Sequence, residues 1–177
     1  MKTPPEYREM EFVGLLIELA KLFKPQIYVE LGVKKGYTIT RLAPYVGKAI
    51  GIDIDPVQIN LPNVTTHVST TQDFAKTLCN RDPFIDFLFI DADHSYKAVL
   101  DDFDAYLPHV KSNGLIFLHD THPIKQELTK PGYCHDAWKA ASEINDCETG
   151  VEIVTLPGPW AGLSIIRKFG KHHLAWR

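Results

Sequence analysis

Short apolar runs alternate with helical segments along most of this chain, and this alternation most constrains the fold. The run from Phe84 to Ile90 is apolar at nearly every position, whereas a strand with one wet face alternates polar and apolar residues. Strands of this kind, separated by helices, predict a parallel sheet covered on both faces. The expected fold class is therefore α/β and doubly wound, with active groups at the carboxyl ends of the strands.

The individual elements follow from the hydrophobic period and from flanking proline, glycine and capping residues. Helices are expected at about 6–23, at Tyr37–Tyr45, at Thr71–Leu78 with Thr71 as N-cap, and from the cap Ser95 to Leu107. Strands are expected at Ile27–Val29, Ala49–Ile52, Val64–Val68, Phe84–Ile90 and Leu115–Leu118. The second and third strands are so close in sequence that at most one helical turn fits between them. Val151–Leu156 and Leu163–Arg167 have no helix between them and predict an antiparallel hairpin.

Composition limits the class of protein. A chain of 177 residues suits one domain, expected to span residues 1–177. The net charge of −3 offers no broad basic surface, so a nucleic-acid partner is not expected. No apolar stretch approaches the roughly 20 residues that cross a bilayer. The polar start lacks a signal-peptide core and the three cysteines form no C-x-x-C pair, so a cytoplasmic location without a disulfide framework or structural zinc is expected.

The first apolar strand ends in a turn with two glycines, Gly32 and Gly36, preceded by Glu30. Glycine suits a turn that needs positive φ or a backbone that a ligand approaches closely. The free N–H groups of the next helix suit a carboxylate or a phosphate. The spacing E-x-G-x-x-x-G differs from the G-x-G-x-x-G of dinucleotide folds, and an acid repels phosphate but helps to hold an ammonium group. Two glycines in an ordinary βα turn are the plainer interpretation.

The second strand ends in Gly51-Ile52-Asp53-Ile54-Asp55. An acid about twenty residues after a glycine turn is placed to accept both hydroxyls of a ribose. A helix-capping or loop acid is the alternative for Asp53 taken alone. Together the two motifs predict a nucleoside ligand that carries an amino acid and no pyrophosphate.

These motifs resemble those of the class I S-adenosylmethionine-dependent methyltransferases, and the resemblance runs from Tyr28 to Arg167. It is closest to the small O-methyltransferase-like branch, whose fourth strand ends in I-D-A-D-H-S-Y and whose fifth ends in H-D. Both strings occur here, at Ile90–Tyr96 and at His119-Asp120. The resemblance implies a Rossmann-like, mostly parallel seven-stranded sheet with an antiparallel C-terminal hairpin at about 151–167. It also implies methyl transfer from S-adenosylmethionine to a small-molecule acceptor, expected at a hydroxyl oxygen.

The resemblance also implies a cofactor site. It assigns the methionine part of the cofactor to Glu30, Gly32 and Gly36, the ribose to Asp53, one adenine face to Ile54 and the adenine edge to Thr71 and Gln72. Tyr37, Thr38 and Asp91 are also expected in the cofactor site. For Thr71 and Gln72, a helix N-terminus with polar residues in its first turn is an equal alternative.

Asp91 and Asp120 close the fourth and fifth strands and are expected to face one cleft. In the metal-dependent O-methyltransferases, acids at these places bind Mg²⁺, which orients and acidifies a substrate hydroxyl. Thr121 stands where the catechol O-methyltransferase pattern has an asparagine or an acid. The third ligand is therefore open, and His94 or His122 in that place would favour a transition metal. A divalent metal at Asp91 and Asp120 and a metal-free site are equal alternatives.

The candidate catalytic residues are Asp91, His94 and His122, the histidines because imidazole titrates near neutrality. A surface or turn histidine is the alternative for each. His119 is expected to be structural, with its side chain pointing away from Asp120 by strand alternation. The loop from Thr121 to Tyr133 is expected to cover the acceptor, and Tyr133, Trp138 and Trp160 are candidates for aromatic walls or for the core.

Three other functions are weighed against methyl transfer. The first is a binding protein that keeps the cofactor pocket but transfers no methyl group. The second is a nucleotide-dependent oxidoreductase, which is weakened because this chain lacks the G-x-G-x-x-G motif of that class. An N- or nucleic-acid methyltransferase is disfavoured because no N/D-P-P-Y/F string follows the fourth strand. The expected partner is a small-molecule acceptor, and a homodimer is left open.

Overall fold

The computed structural model describes residues 12–78, 82–158 and 161–169. Within these ranges the strands are β1 (Ile27–Leu31), β2 (Lys48–Asp53), β3 (Val64–Val68), β4 (Ile85–Ile90), β5 (Val110–His119), β6 (Val151–Leu156) and β7 (Leu163–Lys168). The helices are α1 (Val13–Phe23), α2 (Tyr37–Leu42), α3 (Thr71–Lys76), α4 (Tyr96–Tyr106) and α5 (Ala137–Cys147). Short 3₁₀ turns lie at Ala43–Tyr45, Leu107–His109 and Gln126–Thr129.

The strands form one sheet in the order β3-β2-β1-β4-β5-β7-β6. β1 pairs in parallel with both β2 and β4, and the pairs β2–β3 and β4–β5 are parallel too. β7 runs antiparallel to both of its neighbours, β5 and β6. The predicted doubly wound sheet with an antiparallel C-terminal hairpin is confirmed. The chain moves outward from β1 to β3 and then returns to β4, so the strand order reverses between β1 and β4, where α/β sheets bind their ligands.

Both faces of the sheet are covered, because successive strand residues point to opposite sides. Tyr28, Phe87 and Phe117 pack with Leu16 of α1 and Ile39 of α2 on one face. The other face is covered by α3, α4 and α5, and its buried residues include Val29, Leu88, Ile116, Phe103 and Ile144. The two apolar layers hold the strands rigidly and leave their carboxyl ends as the edge where polar side chains meet.

The connection between β2 and β3 contains no helix across residues 54–63, all of which the structure describes. Val57 and Ile59 of this connection instead pack against the apolar layer beside α1 and α2. This agrees with the expectation of at most one helical turn there.

Three elements differ from the sequence-based expectation, and one of them is β5, which begins at Val110 rather than at Leu115. α5 was not predicted, and the buried positions of its inner face are mostly alanine: Ala137, Ala140, Ala141 and Ile144. The N-cap of α3 is Thr70, whose hydroxyl accepts from the backbone N–H of Asp73 at 3.0 Å, so the predicted cap Thr71 is wrong. The predicted first helix began near residue 6, and residues 6–11 lie outside the described residues.

Candidate functional site

A cavity of about 650 Å³ opens at the carboxyl ends of β1, β4 and β5. One end is lined by the turn after β1, from Glu30 to Thr38, and the centre by Asp91, His94, His119 and Asp120. The far end is lined by Leu128, by residues 131–135 and by Ala161. The cavity lies at the reversal of strand order, where the topology places a ligand site.

The turn after β1 contains three residues in the left-handed region, namely Gly32 (φ 87°), Lys34 (φ 51°) and Gly36 (φ 75°). The predicted need for positive φ at the two glycines is confirmed. The close approach is made by the protein itself, because a Cβ on Gly32 would lie 2.3 Å from the carbonyl oxygen of Asp91. A Cβ on Gly36 would lie 2.9 Å from Ile59 Cδ1. The glycines therefore let the turn pack against neighbouring loops and shape the cavity wall.

Glu30 points into the floor of the cavity from β1 and is only 2 % exposed. Tyr28, on the same face of the strand, donates its hydroxyl to Glu30 Oε2 at 2.5 Å. Burial raises the pKa of Glu30 to about 8, and the negative charges of Asp91 and Asp53 add to the rise against the opposing bond from Tyr28. This carboxyl group is therefore largely protonated at neutral pH and ionises readily when a cation enters the cavity.

Asp53 ends β2 and fixes the turn after β1. Its Oδ2 accepts from the backbone N–H of Lys34 at 2.6 Å, and its Oδ1 accepts from Asp55 N–H at 2.9 Å. Ile54, the next residue, leaves 70 % of its surface exposed. A carboxylate followed by an uncovered apolar side chain suits a ligand with a polar sugar and a flat ring.

Thr71 and Gln72 bind a different partner from the one expected. Thr71 Oγ1 and Gln72 Nε2 both donate to Oδ1 of Asp102, at 2.5 and 2.8 Å. Asp102 is a buried residue of α4, so these bonds tie α3 to α4. Neither side chain lines the cavity.

The centre of the cavity holds two carboxylates and two imidazoles in mutual contact. His94 Nε2 lies 3.2 Å from Asp91 Oδ1, and His94 Nδ1 lies 2.7 Å from Asp120 Oδ2. His119 Nδ1 lies 3.1 Å from Asp91 Oδ1 and 3.2 Å from Asp120 Oδ1. We call these four side chains the acid–imidazole cluster.

The expected orientation of His119 is wrong. Asp120 adopts a φ of 61°, immediately after β5 ends at His119. This left-handed backbone breaks the strand alternation and brings both side chains to the same cavity. The alternation rule holds only within a strand, and nothing in the sequence marks Asp120 as left-handed.

The cluster carries balanced charges. Burial on its own would lower the pKa of His94, yet contacts with Asp120 and Asp91 raise it to about 10. Burial acts the same way on His119, and Asp91 and Asp120 raise its pKa well above the ordinary value. Burial on its own would raise the pKa of Asp91, but His119 and His94 lower it to about 2. The same two histidines also lower the pKa of Asp120, although burial opposes this shift. At neutral pH the two anions and the two cations cancel.

The structure pairs the two carboxylates with imidazoles. Asp91 Oδ1 lies 3.2 Å from His94 Nε2 and 3.1 Å from His119 Nδ1, and Asp120 Oδ1 lies 3.2 Å from the same His119 nitrogen. Across residues 12–78, 82–158 and 161–169, no group of three or more His, Cys, Asp or Glu side chains has a metal-binding arrangement. The magnesium site suggested for Asp91 and Asp120 stays a prediction, and no step below depends on it.

His122 lies outside the cavity. Its side chain is exposed, and its backbone N–H donates to Ala161 O at 2.6 Å. The structure therefore brings Asp91 and His94 together and does not add His122 to them.

The segment after β5 closes the far end of the cavity. The backbone oxygen of Tyr133 lies 2.8 Å from His94 Nδ1, so this segment contacts the cluster directly. Leu128, Cys134 and Ala161 pack together as a small buried apolar group. Tyr133 lines the cavity, Trp138 does not, and Trp160 falls outside the described residues.

Comparison with known families decides the class of this protein. Residues 29–121, more than half of the chain, match the family described as methyltransferase domain. The chain belongs to this family. The match begins in β1 and ends just after Asp120, so it includes the turn after β1 and all four residues of the acid–imidazole cluster. No curated protein matches the chain at a significant level.

Solved structures share the fold of this methyltransferase domain. An O-methyltransferase from Bacillus cereus in complex with S-adenosylhomocysteine is 18% identical, with a TM-score of 0.68 over 94% of this chain and 82% of that one. The O-methyltransferase TomG from Streptomyces achromogenes, involved in tomaymycin synthesis and in complex with S-adenosylmethionine, is 18% identical, with a TM-score of 0.69 over 96% and 82%.

A third similar structure contains a metal. The MycE methyltransferase from the mycinamycin biosynthetic pathway, in complex with Mg, S-adenosylhomocysteine and mycinamycin VI, is 16% identical, with a TM-score of 0.63 over 89% of this chain and 49% of that one. Identities this low establish a common fold.

Among the residues described here, no helix has the length and apolar character to cross a membrane.

Proposed function

We propose that this methyltransferase domain transfers the methyl group of S-adenosylmethionine to a hydroxyl oxygen of a small-molecule acceptor. One observation carries the proposal: a single cavity joins the turn after β1 to the acid–imidazole cluster. The turn provides a place for a nucleoside that carries an amino acid, and the cluster provides groups that handle a proton. The complexes of two similar O-methyltransferases, one with S-adenosylhomocysteine and one with S-adenosylmethionine, support the choice of ligand.

The proposed cofactor site uses residues from β1, α2 and β2. Glu30, Gly32, Gly36, Tyr37 and Thr38 would surround the amino-acid part, and Glu30 would ionise next to the ammonium group. Each carboxylate oxygen of Asp53 accepts one backbone N–H and retains a lone pair, and these lone pairs would accept the ribose hydroxyls. Ile54 would cover the adenine. The side chains of Thr71 and Gln72 donate to Asp102, and their place at the adenine edge stays a prediction.

S-adenosylmethionine, when bound, would supply the methyl group that the acceptor oxygen receives. The acceptor hydroxyl would enter between Asp91 and His94, whose 3.2 Å contact is the longer of the two carboxylate contacts of His94. When the acceptor hydroxyl separates Asp91 from His94, Asp91 loses one of the two imidazoles that lower its pKa. The burial of Asp91 continues to raise this pKa. Asp91 is thereby a stronger base when the acceptor is present than when it is absent, and it takes the hydroxyl proton.

His94 is a positioning residue in this proposal. Its contact with Asp120 Oδ2 at 2.7 Å remains when the acceptor is bound, and the backbone oxygen of Tyr133 holds the same nitrogen. An imidazole fixed in this way keeps the acceptor oxygen aligned between Asp91 and the cofactor end of the cavity.

A cytoplasmic location stays a prediction. A single domain spanning residues 1–177 and a homodimer both stay predictions.

The test is transfer of a labelled methyl group from S-adenosylmethionine to a set of hydroxylated small molecules. Asp91→Asn is expected to lower kcat by about 10²–10⁴-fold, the range of general base catalysis, and His94→Gln by less. Asp104→Asn, an exposed carboxylate of α4, is the matched control and is expected to keep the wild-type rate. A rate in Asp91→Asn equal to that of the control would show that Asp91 is not the base.

A further inference from the structure

A tyrosine hydroxyl is buried in the apolar layer on the α1 face of the sheet. Tyr28 is 0 % exposed and belongs to the same apolar cluster as Leu16, Phe87 and Phe117. A hydroxyl in such a place costs free energy unless it forms a hydrogen bond, whereas a phenylalanine ring would fill the same space without that cost. The role of Tyr28 therefore depends on what its hydroxyl contacts.

That contact is the carboxyl group at the floor of the cavity. The Tyr28 hydroxyl donates to Glu30 Oε2 at 2.5 Å, along the face of β1 that the two residues share. Burial and the charge of Glu30 raise the pKa of Tyr28 well above its ordinary value. The phenol therefore keeps its proton at neutral pH and stays a donor to Glu30.

A second donor reaches Glu30 from α2. The backbone N–H of Ile39, in the first turn of that helix, also forms a hydrogen bond with the carboxyl group and favours its ionised form. Glu30 is thus held both from its own strand and from the helix that follows. Because Glu30 lines the cavity, the lone pairs that these two donors leave are the ones that a ligand meets.

A group held in this way suits a cation. An ionised carboxylate only accepts hydrogen bonds, and a buried one pairs favourably with a cation when its geometry is well held and its other lone pairs are satisfied. Tyr28 and Ile39 meet both conditions for Glu30. The ligand proposed for this end of the cavity carries an ammonium group in its amino-acid part.

We propose that Tyr28 is a positioning residue for the methyl donor: its hydroxyl holds Glu30 in the orientation and the ionised form in which the carboxylate binds the ammonium group of S-adenosylmethionine. Tyr28 is fully buried, so it acts on the ligand through Glu30. This inference rests on the proposed function, since it assigns this end of the cavity to the amino-acid part of the cofactor.

The test compares two ligands that differ in the ammonium group alone. S-adenosylhomocysteine carries this group, and in its deaminated analogue a hydrogen atom replaces it. Calorimetry near neutral pH gives the ratio of the two affinities, and we expect the wild type to prefer S-adenosylhomocysteine by about tenfold or more. In Tyr28→Phe, which keeps the ring and its packing, we expect a preference of about threefold or less and an unchanged affinity for the deaminated analogue.

Tyr106→Phe is the matched control. Tyr106 is an equally buried tyrosine on the other face of the sheet, and its hydroxyl donates to the backbone oxygen of Thr71 at 2.8 Å. Both ligands carry the same adenosine, so a change at Thr71 affects them equally and the wild-type preference is expected to remain. A preference in Tyr28→Phe equal to that of Tyr106→Phe would overturn the proposal, as would a wild type that binds the two ligands equally.

Glu30→Gln separates the action of Tyr28 from that of Glu30. We expect this variant to lose the preference for the ammonium group, and Tyr28→Phe added to it to change the preference no further, because Tyr28 acts through the carboxylate. A preference that survives in Glu30→Gln, or a further loss in the double variant, would contradict the proposal. Failure of S-adenosylhomocysteine to bind the wild type would instead contradict the proposed function itself.

Discussion

At the scale of single residues, Glu30 links the fold to the pH of the solution. Its pKa is about 8 in the folded chain and 4.5 as the ordinary reference, because the carboxyl group is buried. The folded state therefore binds a proton that the unfolded state releases between these values. Stability contributed by the protonated group is present below about pH 4.5 and is lost as the pH rises through about 8.

Replacement of Glu30 by glutamine removes this dependence while keeping an acceptor for the Tyr28 hydroxyl. At pH 9 we expect Glu30→Gln to be more stable than the wild type by a few kcal/mol, and at pH 4.5 the two to be similar. Urea denaturation at pH 4.5, 7 and 9 measures the difference, with Asp104→Asn as a control of equal charge change. Parallel pH curves for Glu30→Gln and the wild type would show that Glu30 is ionised in the folded chain.

The strand-end residues could be assigned to one edge of the sheet from sequence alone, because parallel strands meet at one edge. Asp91 and Asp120 do lie together there. Their partners could not be inferred, since the direction of His119 depends on the left-handed φ of Asp120. The bonds of Thr71 and Gln72 to Asp102 were equally inaccessible, because they join residues about thirty positions apart through helix packing.

At the scale of elements, the apolar runs were sufficient to locate β1 to β7 within about five residues. The central runs of β1, β4 and β5 are buried on both faces, whereas β3 and β6 lie at the edges of the sheet and are largely exposed. α5 was missed although its helical period is as clear as those of α1 and α4, because three of its four buried residues, Ala137, Ala140 and Ala141, are small. The cap of α3 moved by one residue because Thr70 and Thr71 are chemically identical and only the backbone distinguishes them.

The turn after β1 gives a prediction at this scale. In Gly32→Ala the new Cβ would meet the Asp91 backbone at 2.3 Å in addition to the strain of φ 87°. We expect a loss of about 3 kcal/mol or more in the free energy of unfolding. Gly132→Ala has a similar φ of 84° but open space around the Cβ, and we expect it to lose about 1 kcal/mol. Chemical denaturation of both variants separates steric contact from backbone strain, and equal losses would show that the contact between the β1 turn and Asp91 is not tight.

At the scale of the whole molecule, the strand order brings acids from four strands to one edge. Glu30 is the penultimate residue of β1, Asp53 ends β2, Asp91 follows β4 and Asp120 follows β5. Two imidazoles balance the charges of Asp91 and Asp120, and a largely protonated carboxyl group removes the charge of Glu30. This edge of the sheet is thereby able to accept a positively charged ligand, and the charges of Glu30, Asp91 and Asp120 are compensated when the ligand is absent.

The same balance of charges leads to an expectation for metal dependence. Because the oxygens of Asp91 and Asp120 face His94 and His119, we expect methyl transfer to keep its rate in the presence of a chelator. Added Mg²⁺ is expected to leave the rate unchanged as well. A rate that falls with chelator and returns with Mg²⁺ would instead support the magnesium site at Asp91 and Asp120.

The central claim is that the cavity at the ends of β1, β4 and β5, together with Asp53 of β2 beside the turn after β1, binds the methyl donor. Calorimetric titration of S-adenosylhomocysteine into the wild type, Asp53→Ala and Asp104→Asn tests it most directly. We expect one binding site in the wild type and in Asp104→Asn, and an affinity lowered at least about tenfold in Asp53→Ala, since hydrogen bonds to a charged group are lost. No binding to the wild type, or equal binding to Asp53→Ala, would contradict this account of the cavity.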